Sequence, residues 1–481
     1  MRMLQIVTPT IQPIHATILV IAIYSLVWTI IIFHSIYYWI GRKREYKINK
    51  YNLDLEKAPE ITVIIPTVNE SINIILRLIE ALSKQSYPKD KMEIIIVSDD
   101  TKEKYMNIEN EVMKASSKYN LNIKIYRREE RRGFKAGALN YALKRSNGKY
   151  IVVFDADAIP KEDLIEKAIA YMEGEKLDAI ATKWSTLNMN DSPLSEAQAI
   201  SMEFLTSIIL RGRAISRKPI MIPGCGCIFK RDVLMELGGW NEESLAEDLD
   251  LSVKLVTKGK RIGYLDETEV KVEVPSNYED FKKQQSRWIY GAVQTLVKNA
   301  TRIINAKIPL IWKIDVILYL LQYQAVLANF AMAILAISSI IVRMDIISQI
   351  TPLIPITIVL SALEAASYMH TAKKLGLKTW KSITIMGRCT ALATALAIHI
   401  LLQDIKIIFG KREKWNITPK GEIAKKSSSR RSGIIESITT IMGLIAMIIL
   451  LIFGYKASAL CILTLTIPYA YVTWKTTNKV W

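Results

Sequence analysis

Long apolar segments constrain this chain more than any other feature of its sequence. Half of its 481 residues are hydrophobic, and they are concentrated between Ile14 and Ile40 and again after about residue 308. About 20 apolar residues are enough for a helix to cross the ~30 Å hydrocarbon core of a bilayer. Residues 58–300 have instead the mixed composition of a soluble domain. The sequence therefore predicts a membrane protein with a soluble domain inserted between its membrane segments.

Basic residues lie beside these apolar segments and account for much of the formal net charge of +18. A basic run from Arg42 to Arg44 follows the first segment, and eight Lys or Arg residues lie between Lys411 and Arg431. Positive charge next to a span marks the cytosolic side of a membrane, where it meets anionic headgroups. We therefore expect membrane lipids and not nucleic acid as partners. The expected location is the cell (plasma) membrane, with the N-terminus outside and the soluble domain in the cytosol.

The distribution of apolar residues predicts three regions. Residues 1–57 form an N-terminal transmembrane helix with a basic linker, residues 58–300 form the soluble domain and end in an interfacial helix, and residues 301–481 form a C-terminal membrane domain. The last region contains five apolar segments, near 314–342, 350–370, 384–408, 434–455 and 457–474.

The segment 384–408 differs from the others because basic residues flank both of its ends. It also contains Arg388, Asp404 and Lys406, and ionisable side chains are costly in hydrocarbon. We interpret it as an amphipathic helix that lies in the cytosolic interface. This interpretation leaves five spans and a cytosolic C-terminus. Six spans, with 384–408 crossing the membrane, remain the alternative.

The soluble region alternates short apolar runs with amphipathic stretches such as 72–85, which has the 3.6-residue period of a helix. This alternation predicts a parallel sheet covered by helices on both faces, with ligands bound beyond the carboxyl ends of the strands. The runs that predict buried strands are 61–65, 93–97, 122–125 and 150–154.

Acidic residues follow three of these strands. Glu70 comes shortly after the first, Asp99 and Asp100 follow the second, and Asp155 and Asp157 follow the fourth. An Asp-x-Asp sequence alone is more often part of a turn. Several carboxylates at one rim of a sheet, however, repel one another unless a positive group lies between them. We therefore expect Asp155 and Asp157 to bind a hard divalent ion, Mg²⁺ or Mn²⁺, whose remaining positions suit a diphosphate.

An acidic motif, Leu245-Ala-Glu-Asp248, opens a further predicted helix. Acidic residues in the first turn of a helix often do no more than complement the helix dipole. The functional alternative is that a carboxylate of this motif faces the site and removes a proton from an attacking hydroxyl.

The segment Gln284-Gln-Ser-Arg-Trp288 places three side chains on one face of a helix, because Gln284, Arg287 and Trp288 are at positions i, i+3 and i+4. An exposed helix with a stray Trp is the simpler explanation. The combination also suits a sugar ring stacked on Trp, with the Arg and Gln side chains reaching phosphate and hydroxyl oxygens.

Taken in order, these motifs resemble those of the inverting family 2 glycosyltransferases, in the cellulose-synthase-like membrane branch that includes processive polysaccharide synthases. The resemblance covers residues 60–300 and implies an α/β GT-A fold, a Rossmann-like and mostly parallel sheet, in a cytosolic domain inserted in an α-helical transmembrane domain. The matching motifs are VIIPTVNE (63–70), SDD (98–100), GFKAGALN (133–140), DADAIP (155–160), PGCGCIFKR (223–231), LAEDLDLS (245–252) and QQSRW (284–288).

The resemblance implies a role for each matching residue. Asp248, beside Glu247, would be the general base, and Asp155 with Asp157 would hold the metal ion. The residues that contact the acceptor would be Cys225, Gly226 and Trp288. The residues that bind the donor would be Thr67, Glu70, Asp100, Lys135, Asp155, Gln284, Arg287 and Trp288.

Part of the basic loop 411–431 resembles the gating loop of the same branch. Its matching residues are Trp415, Thr418 and Lys420.

Three residues depart from the family pattern. Val68 stands where an aromatic residue is common, Thr101 replaces a glycine, and Ala246 replaces the threonine before Glu-Asp. These departures keep every catalytic carboxylate, and they bear on the identity of the substrate.

The resemblance therefore implies that the chain transfers a sugar from a nucleotide-sugar, with a UDP-sugar as the expected donor. We expect processive synthesis of a polysaccharide coupled to membrane export. The alternative is a single transfer to a lipid or polyprenyl-phosphate acceptor. Whether an accessory subunit takes part stays open.

Two functions outside enzymology are disfavoured. A transporter with a regulatory domain would need paired buried charges in its spans, and we expect none from the sequence. A catalytically inactive scaffold would not need every expected carboxylate, and all of them are present.

Overall fold

The computed structural model describes residues 13–43, 51–411, 413 and 433–481. The chain divides into two compact units. The sheet unit comprises Ile36–Leu320 and Gly410–Ser427. The helical unit comprises Met1–Ser35, Leu321–Phe409 and Ser428–Trp481. Helix α1 (Pro13–Lys43) contributes residues to both units.

The sheet unit contains one eight-stranded sheet. Its strands are β1 (Ile61–Thr67), β2 (Met92–Ser98), β3 (Asn122–Arg127), β4 (Tyr150–Val153), β5 (Ile159–Pro160), β6 (Ala179–Thr186), β7 (Cys227–Lys230) and β8 (Ile262–Val272). Its other helices are α2 (Ile72–Ser83), α3 (Lys102–Tyr119), α4 (Phe134–Leu143), α5 (Leu164–Glu175), α6 (Pro193–Phe204), α7 (Arg211–Ile215), α8 (Arg231–Glu236), α9 (Glu247–Thr257), α10 (Tyr278–Asn305) and α11 (Leu310–Leu320).

The strand order is β3-β2-β1-β4-β7-β6-β8-β5. Strands β1 to β4 pair in parallel, and β7 runs antiparallel to both β4 and β6. The sheet is therefore mixed and mostly parallel, which confirms the predicted α/β class. The four predicted strands are β1 to β4.

The apolar runs of the sequence correspond to strands that are buried on both faces. In β1, Val63 and Ile65 pack into one hydrophobic cluster with Leu78 of α2. The intervening Ile64 packs into a second cluster with Leu139 of α4. Successive side chains of a strand point to opposite faces of its sheet. A strand covered by helices on both sides therefore has no polar face, and its residues form a continuous apolar run.

The helical unit contains α12 (Leu327–Val342), α13 (Ile354–Lys374), α14 (Thr379–Ala395), α15 (Ala397–Ile408), α16 (Ile434–Ile452) and α17 (Lys456–Thr477). Within the described part of the chain, six helical segments are long and apolar enough to span a membrane, as expected of a multi-pass membrane protein. They are His15–Arg42, Gln324–Val342, Ile347–Lys374, Thr379–Ile408, Ile434–Ile452 and Lys456–Thr477. The structure divides the predicted segment 314–342, because α11 ends at Leu320 and the candidate span begins at Gln324.

The segment interpreted as an interfacial helix consists of α14 and α15, which are separated at Leu396. Within the helical unit, Arg388 Nε donates a hydrogen bond to Tyr471 Oη at 3.3 Å, and Asp404 Oδ1 accepts one from Gln324 Nε2 at 3.1 Å. These polar side chains thus have partners inside the unit. By length and composition the segment is also one of the six candidate spans. The interfacial position and the five-span topology stay predictions.

The helical unit contains paired ionisable side chains that the sequence analysis did not expect. His34 Nδ1 lies 3.0 Å from Glu364 Oε1, and His399 Nε2 lies 3.0 Å from Glu436 Oε1. The expectation that the spans carry no such pairs was wrong. Each pair joins residues that are far apart in sequence, so periodicity and composition gave no sign of it.

We predict that Gly148→Ala destabilises the sheet unit. A Cβ atom at this position would lie 2.4 Å from Ile61 C and 2.4 Å from Thr62 N of the neighbouring strand. Overpacking of this kind costs about 1–3 kcal/mol of unfolding free energy, which a lower unfolding temperature of the detergent-solubilised protein would report. Gly387→Ala is the matched control, because a Cβ there meets nothing within 4 Å. Equal unfolding temperatures for the two variants would contradict the prediction.

Candidate active site

The carboxylate of Asp100 joins the carboxyl ends of β1 and β2. It accepts hydrogen bonds from the backbone N–H of Asn69 and from Ser98 Oγ, both at 2.8 Å. Lys104 Nζ, from the first turn of α3, lies 3.2 Å from Asp100 Oδ1. Asp100 is therefore held in place by three donors at the rim of the sheet.

Thr67 is the last residue of β1 and is buried at the same rim. Its hydroxyl oxygen has no hydrogen-bond partner among the residues that the structure describes. A buried hydroxyl without a partner is costly, so it marks a position where a ligand can supply the missing bond. Glu70, three residues further on, is half-buried.

Arg128 is a residue of this rim that the sequence analysis missed. It follows β3, and its guanidinium forms a bidentate pair with Asp99, with distances of 2.7 Å and 2.5 Å. The neighbouring Arg127 donates from Nε to the backbone carbonyl of Asp100 at 3.0 Å. The sequence did contain a signal for these residues. Two consecutive Arg residues follow an apolar run whose neighbouring strands end in acidic residues.

The ammonium group of Lys135 lies between carboxylates from two different parts of the chain. Lys135 Nζ is 2.7 Å from Asp155 Oδ1, after β4, and 3.4 Å from Glu247 Oε1, at the start of α9. It also donates to the backbone carbonyl of Gly224 at 2.9 Å. Burial lowers the pKa of Lys135, but the charges of Asp155 and Glu247 outweigh it and raise the pKa above the usual value. Lys135 is the positive group that lets these carboxylates lie together.

Asp248 lies close to the same ammonium group. A Cβ atom added at Gly224 would lie 3.0 Å from both Asp248 Oδ2 and Lys135 Nζ. Burial raises the pKa of Asp248 to about 7, the charge of Glu247 adds to the rise, and Lys135 opposes it. An acid with this pKa is suited to take up a proton near neutral pH. Gly224 leaves room between the carboxylate and the ammonium that a larger residue would fill.

Asp157 is held by hydrogen bonds to residues other than Lys135. Asp157 Oδ2 accepts a hydrogen bond from the backbone N–H of Glu273 at 3.2 Å. Arg77 Nη2 donates to Glu273 Oε1 at 2.7 Å and to the Asp157 carbonyl at 3.4 Å. Arg77 and Glu273 are therefore further residues of the site region that no sequence motif indicated.

Cys225 links the Asp-Ala-Asp segment to the predicted acceptor segment. Its sulfur accepts a hydrogen bond from the backbone N–H of Asp155 at 3.3 Å. Burial raises the pKa of the Cys225 thiol well above its usual value, and the carboxylates of Asp155 and Asp157 add to this. The thiol is thus a poor nucleophile, and its observed contact is structural. Gly226 has a positive φ of 66°, and a Cβ there would lie 2.7 Å from Thr182 Oγ1.

The predicted one-face arrangement of Gln284, Arg287 and Trp288 lies on α10, and all three side chains are half-buried. Gln284 Oε1 has no hydrogen-bond partner within the described residues. Two hydrogen bonds fix α10 against the acidic motif, Leu245 N to Gln294 Oε1 at 3.0 Å and Asn299 Nδ2 to Asp250 Oδ1 at 2.9 Å. Gly291 of α10 also packs closely against Ala246. A Cβ atom added at Gly291 would lie 2.5 Å from the Ala246 Cβ.

Asp155 and Asp157 are the predicted metal ligands. Both carboxylates act electrostatically on the same Cys225 sulfur, and the Asp155 side chain is 31% exposed. In the described ranges, no group of three or more His, Cys, Asp or Glu residues could hold a metal ion by itself. Mg²⁺ is commonly bound through one or two carboxylates, with substrate phosphates and waters in its other positions. The two residues therefore fit an ion that a diphosphate completes, and not a closed protein site.

The structure brings Lys135, Asp155, Glu247, Asp248 and Cys225 together. It places Thr67 and Asp100 at the ends of the neighbouring strands. The gating-loop residues Trp415, Thr418 and Lys420 lie outside the described residues.

We predict that Asp248→Asn stabilises the protein in a pH-dependent way. The pKa of Asp248 is raised in the folded state, so the wild type loses stability from this group as pH rises from 3.8 to about 7. Asn stays neutral, so the unfolding temperature of the variant should exceed that of the wild type. The difference between the two temperatures should grow over this pH window and stay constant above it. Thermal unfolding measured from pH 5 to 8 tests this. A margin that does not change with pH would contradict the raised pKa.

Residues 62–238 match the family model described as glycosyl transferase family 2. The chain is 29% identical over 442 residues to a probable glycosyltransferase of Sulfolobus acidocaldarius, covering 92% of this chain and 94% of that relative. It is 29% identical over 291 residues to glucomannan 4-beta-mannosyltransferase 2 of Arabidopsis thaliana, covering 59% of this chain and 54% of the plant protein. The chain thus spans about half the length of that plant relative.

The fold is also similar to that of the mannosyltransferase PcManGT from Pyrobaculum calidifontis, solved in complex with GDP-Man and Mn²⁺. The TM-score is 0.51 at 22% sequence identity, and the match covers 82% of this chain and 100% of PcManGT. This likeness concerns the GT-A fold. The family model and the relatives identify the chain as a glycosyltransferase, with a match to family 2 at residues 62–238.

Proposed function

We propose that this glycosyltransferase moves a sugar from a nucleoside diphosphate sugar to an acceptor hydroxyl with inversion at the anomeric carbon. The observation that carries the proposal is the position of Lys135, 2.7 Å from Asp155 Oδ1 and 3.4 Å from Glu247 Oε1. Lys135 thus contacts Asp155, at the rim of the sheet proposed to bind the diphosphate, and Glu247, at the helix end that carries the proposed base. Glycosyl transfer needs both, because a negatively charged leaving group departs while the attacking hydroxyl loses a proton.

Asp248 is the proposed general base. Its pKa of about 7 lets it exist as a carboxylate at neutral pH and still accept a proton efficiently. The attacking oxygen forms its bond to the anomeric carbon on the face opposite to the leaving group, and its proton passes to Asp248. Glu247, 3.4 Å from Lys135 Nζ, would hold the ammonium in place.

The departing diphosphate carries the electrons of the broken bond and needs positive charge around it. Lys135 supplies one such charge, and Arg287 on α10 is the second proposed source. A divalent ion, Mg²⁺ or Mn²⁺, held by Asp155 and Asp157 would supply further electrostatic stabilisation when bound. Gln284, with its unpartnered Oε1, and the half-buried Trp288 are proposed to contact the sugars.

Thr67, Glu70 and Asp100 are proposed to bind the base of the donor. The resemblance found in the sequence implies uridine at these residues. The relatives point in another direction, because one is a glucomannan mannosyltransferase and the similar solved structure contains GDP-Man. UDP-sugars and GDP-mannose are therefore the two donor classes to compare.

We further propose that the product is a polysaccharide and that its synthesis is coupled to export. The candidate spans support this, since one span is enough to anchor a soluble domain and the described part of the chain has six. The same proposal assigns Cys225 and Gly226 to the acceptor and Trp415, Thr418 and Lys420 to a gating loop. It places the catalytic domain in the cytosol, at the plasma membrane.

A panel of labelled nucleotide-sugars tests the proposed reaction. The protein in nanodiscs with Mg²⁺ or Mn²⁺ would receive UDP-glucose, UDP-N-acetylglucosamine or GDP-mannose. We expect one donor to yield a labelled glycan of high molecular weight. A single labelled species that extracts into organic solvent would instead establish transfer to a lipid acceptor. Failure of every donor class to release nucleoside diphosphate would contradict the proposal.

Asp248→Asn tests the role of the base. We expect transfer to fall by about 10²–10⁴-fold, the usual contribution of a general base, with an unchanged affinity for the nucleoside diphosphate. In the wild type, the rate should rise with pH up to about 7 and then level off, because Asp248 must be ionised to accept the proton. Asp232→Asn, which neutralises an exposed carboxylate on α8, is the control and should keep wild-type transfer. Near-normal turnover by Asp248→Asn would remove Asp248 from the mechanism.

A further inference from the structure

A cavity of about 510 Å³ lies at the edge of the sheet opposite to the candidate active site. Lys149 and Tyr150 line it where β4 begins, and Lys230 lines it where β7 ends. Strands β4 and β7 pair antiparallel, so the far end of β4 leads to Asp155 and the start of β7 follows Cys225. Because β4 has four residues at about 3.3 Å each, its two ends lie about 10 Å apart. The cavity is therefore separate from the residues that the proposed mechanism uses.

Charged and polar side chains form most of the lining of this cavity. The basic residues are Lys149, Lys176, Lys230 and Arg231, and the acidic residues are Glu173 and Asp232. Most small-molecule sites are lined mainly by hydrophobic and aromatic side chains. A concave surface with an excess of positive charge instead raises the local concentration of anions. The lining therefore favours an anionic ligand.

The guanidinium of Arg231 is the part of the lining best suited to an anion. Its Nε donates a hydrogen bond to Ser146 Oγ at 3.2 Å, and its side chain is half-buried. In the part of the chain that the structure describes, its two terminal nitrogen atoms form no hydrogen bond and no ion pair. Two such nitrogens in one plane can bind two oxygen atoms of a carboxylate or phosphate at once. An anion that enters the cavity would supply these oxygen atoms.

The lysines of the lining differ in how far their charge is already used. Lys149 Nζ lies 2.6 Å from Glu173 Oε1, and Lys230 Nζ lies 3.3 Å from Asp178 Oδ1. Lys176 is exposed at the C-terminal cap of α5, and its ammonium has no partner among the residues that the structure describes. Lys176 thus joins the arginine as a second cation of the cavity whose charge no described acid neutralises.

We propose that the cavity binds a phosphate-bearing molecule with at least two negative charges, through Arg231 and Lys176. A carboxylate carries a single charge, whereas a phosphate ester carries more and has three oxygen atoms that can meet a guanidinium and an ammonium together. The volume of about 510 Å³ falls within the usual range of about 300–1,000 Å³ for small-molecule sites, so the ligand is larger than inorganic phosphate. The phosphate can belong to a soluble metabolite or to the headgroup of a lipid.

Calorimetry with inorganic pyrophosphate tests this site. The full-length protein is held in nanodiscs of phosphatidylcholine, and divalent ions are left out because the diphosphate position proposed at Asp155 and Asp157 needs one. The wild type should bind pyrophosphate in a saturable way. Arg231→Gln should weaken this affinity by about 10–100-fold, the usual contribution of a hydrogen bond to a charged group. Lys176→Gln should weaken it less, because the lysine is exposed.

Two further variants control for folding and for net charge. Arg231→Lys keeps the charge but loses the planar guanidinium, so it should recover part of the affinity that Arg231→Gln loses. Lys258→Gln is the matched control for Lys176→Gln, because both lysines are exposed at the C-terminal cap of a helix. It should bind pyrophosphate as the wild type does. Pyrophosphate should also raise the unfolding temperature of the wild type, and this rise should be smaller in Arg231→Gln.

The composition of the membrane separates the two sources of phosphate. In nanodiscs that contain phosphatidylglycerol, a lipid headgroup in the cavity would compete with pyrophosphate and lower its affinity for the wild type, but not for Arg231→Gln. An equal affinity in both kinds of nanodisc would assign the site to a soluble ligand.

Three results would overturn the inference. One is a wild type that binds no pyrophosphate, and another is an Arg231→Gln variant that binds it as tightly as the wild type. The third is a loss of affinity in Arg287→Gln as large as that in Arg231→Gln, which would place the ion in the candidate active site. None of these results bears on the proposed sugar transfer, because the cavity lies at the other edge of the sheet.

Discussion

The arrangement of the active site depends on one ammonium group. Lys135 stands at the start of α4, Asp155 follows β4 and Glu247 begins α9, and the lysine contacts both acids. Without a positive charge between them, Asp155, Glu247 and the nearby Asp248 would repel one another in a buried environment. The same ammonium opposes the rise in the pKa of Asp248, which burial and Glu247 bring to about 7. The ammonium of Lys135 thus connects the rim proposed to bind the leaving group with the proposed base, and it also influences the pKa of that base.

The glycine-rich loop between α7 and β7 also positions the charged groups of the site. Gly224 leaves the space that Asp248 and Lys135 share, and Gly226 adopts a positive φ beside Thr182. The loop is fixed at one end by the Pro219 carbonyl, which Arg213 binds, and along its length by Ser252. A loop with small side chains can approach two charged groups closely, and its hydrogen bonds keep it there.

Ionisable pairs also recur away from the active site. Arg213 with Asp315 lies in the sheet unit, and His34 with Glu364 and His399 with Glu436 lie in the helical unit. In each pair the partners belong to different helices. Helices in lipid gain little from burying apolar surface against one another, so polar contacts of this kind contribute to their association. The pairs in the helical unit are compatible with either topology proposed for 384–408.

The sequence by itself determined the membrane character, the α/β class, the strands β1 to β4 and the acidic rim at their carboxyl ends. These features follow from local rules, because hydropathy and periodicity report burial and because parallel strands end at one edge. It also indicated the acid motif at α9 and the one-face arrangement of Gln284, Arg287 and Trp288 on α10. Strands β5 to β8 were not predicted, since their pairing, antiparallel for β5 with β8 and β6 with β7 and bulged for β6 with β8, depends on distant partners.

The tertiary structure alone decided which charges meet. Arg128 with Asp99, Arg77 with Glu273 and Arg213 with Asp315 are separated by 29, 196 and 102 residues along the chain. No local pattern encodes which of these residues pair across such distances. The raised pKa of Asp248 is of the same kind, because it arises from burial and from Glu247 and Lys135 together. Composition and periodicity therefore placed the candidate residues on strands and helices, while their protonation and contacts required the packed fold.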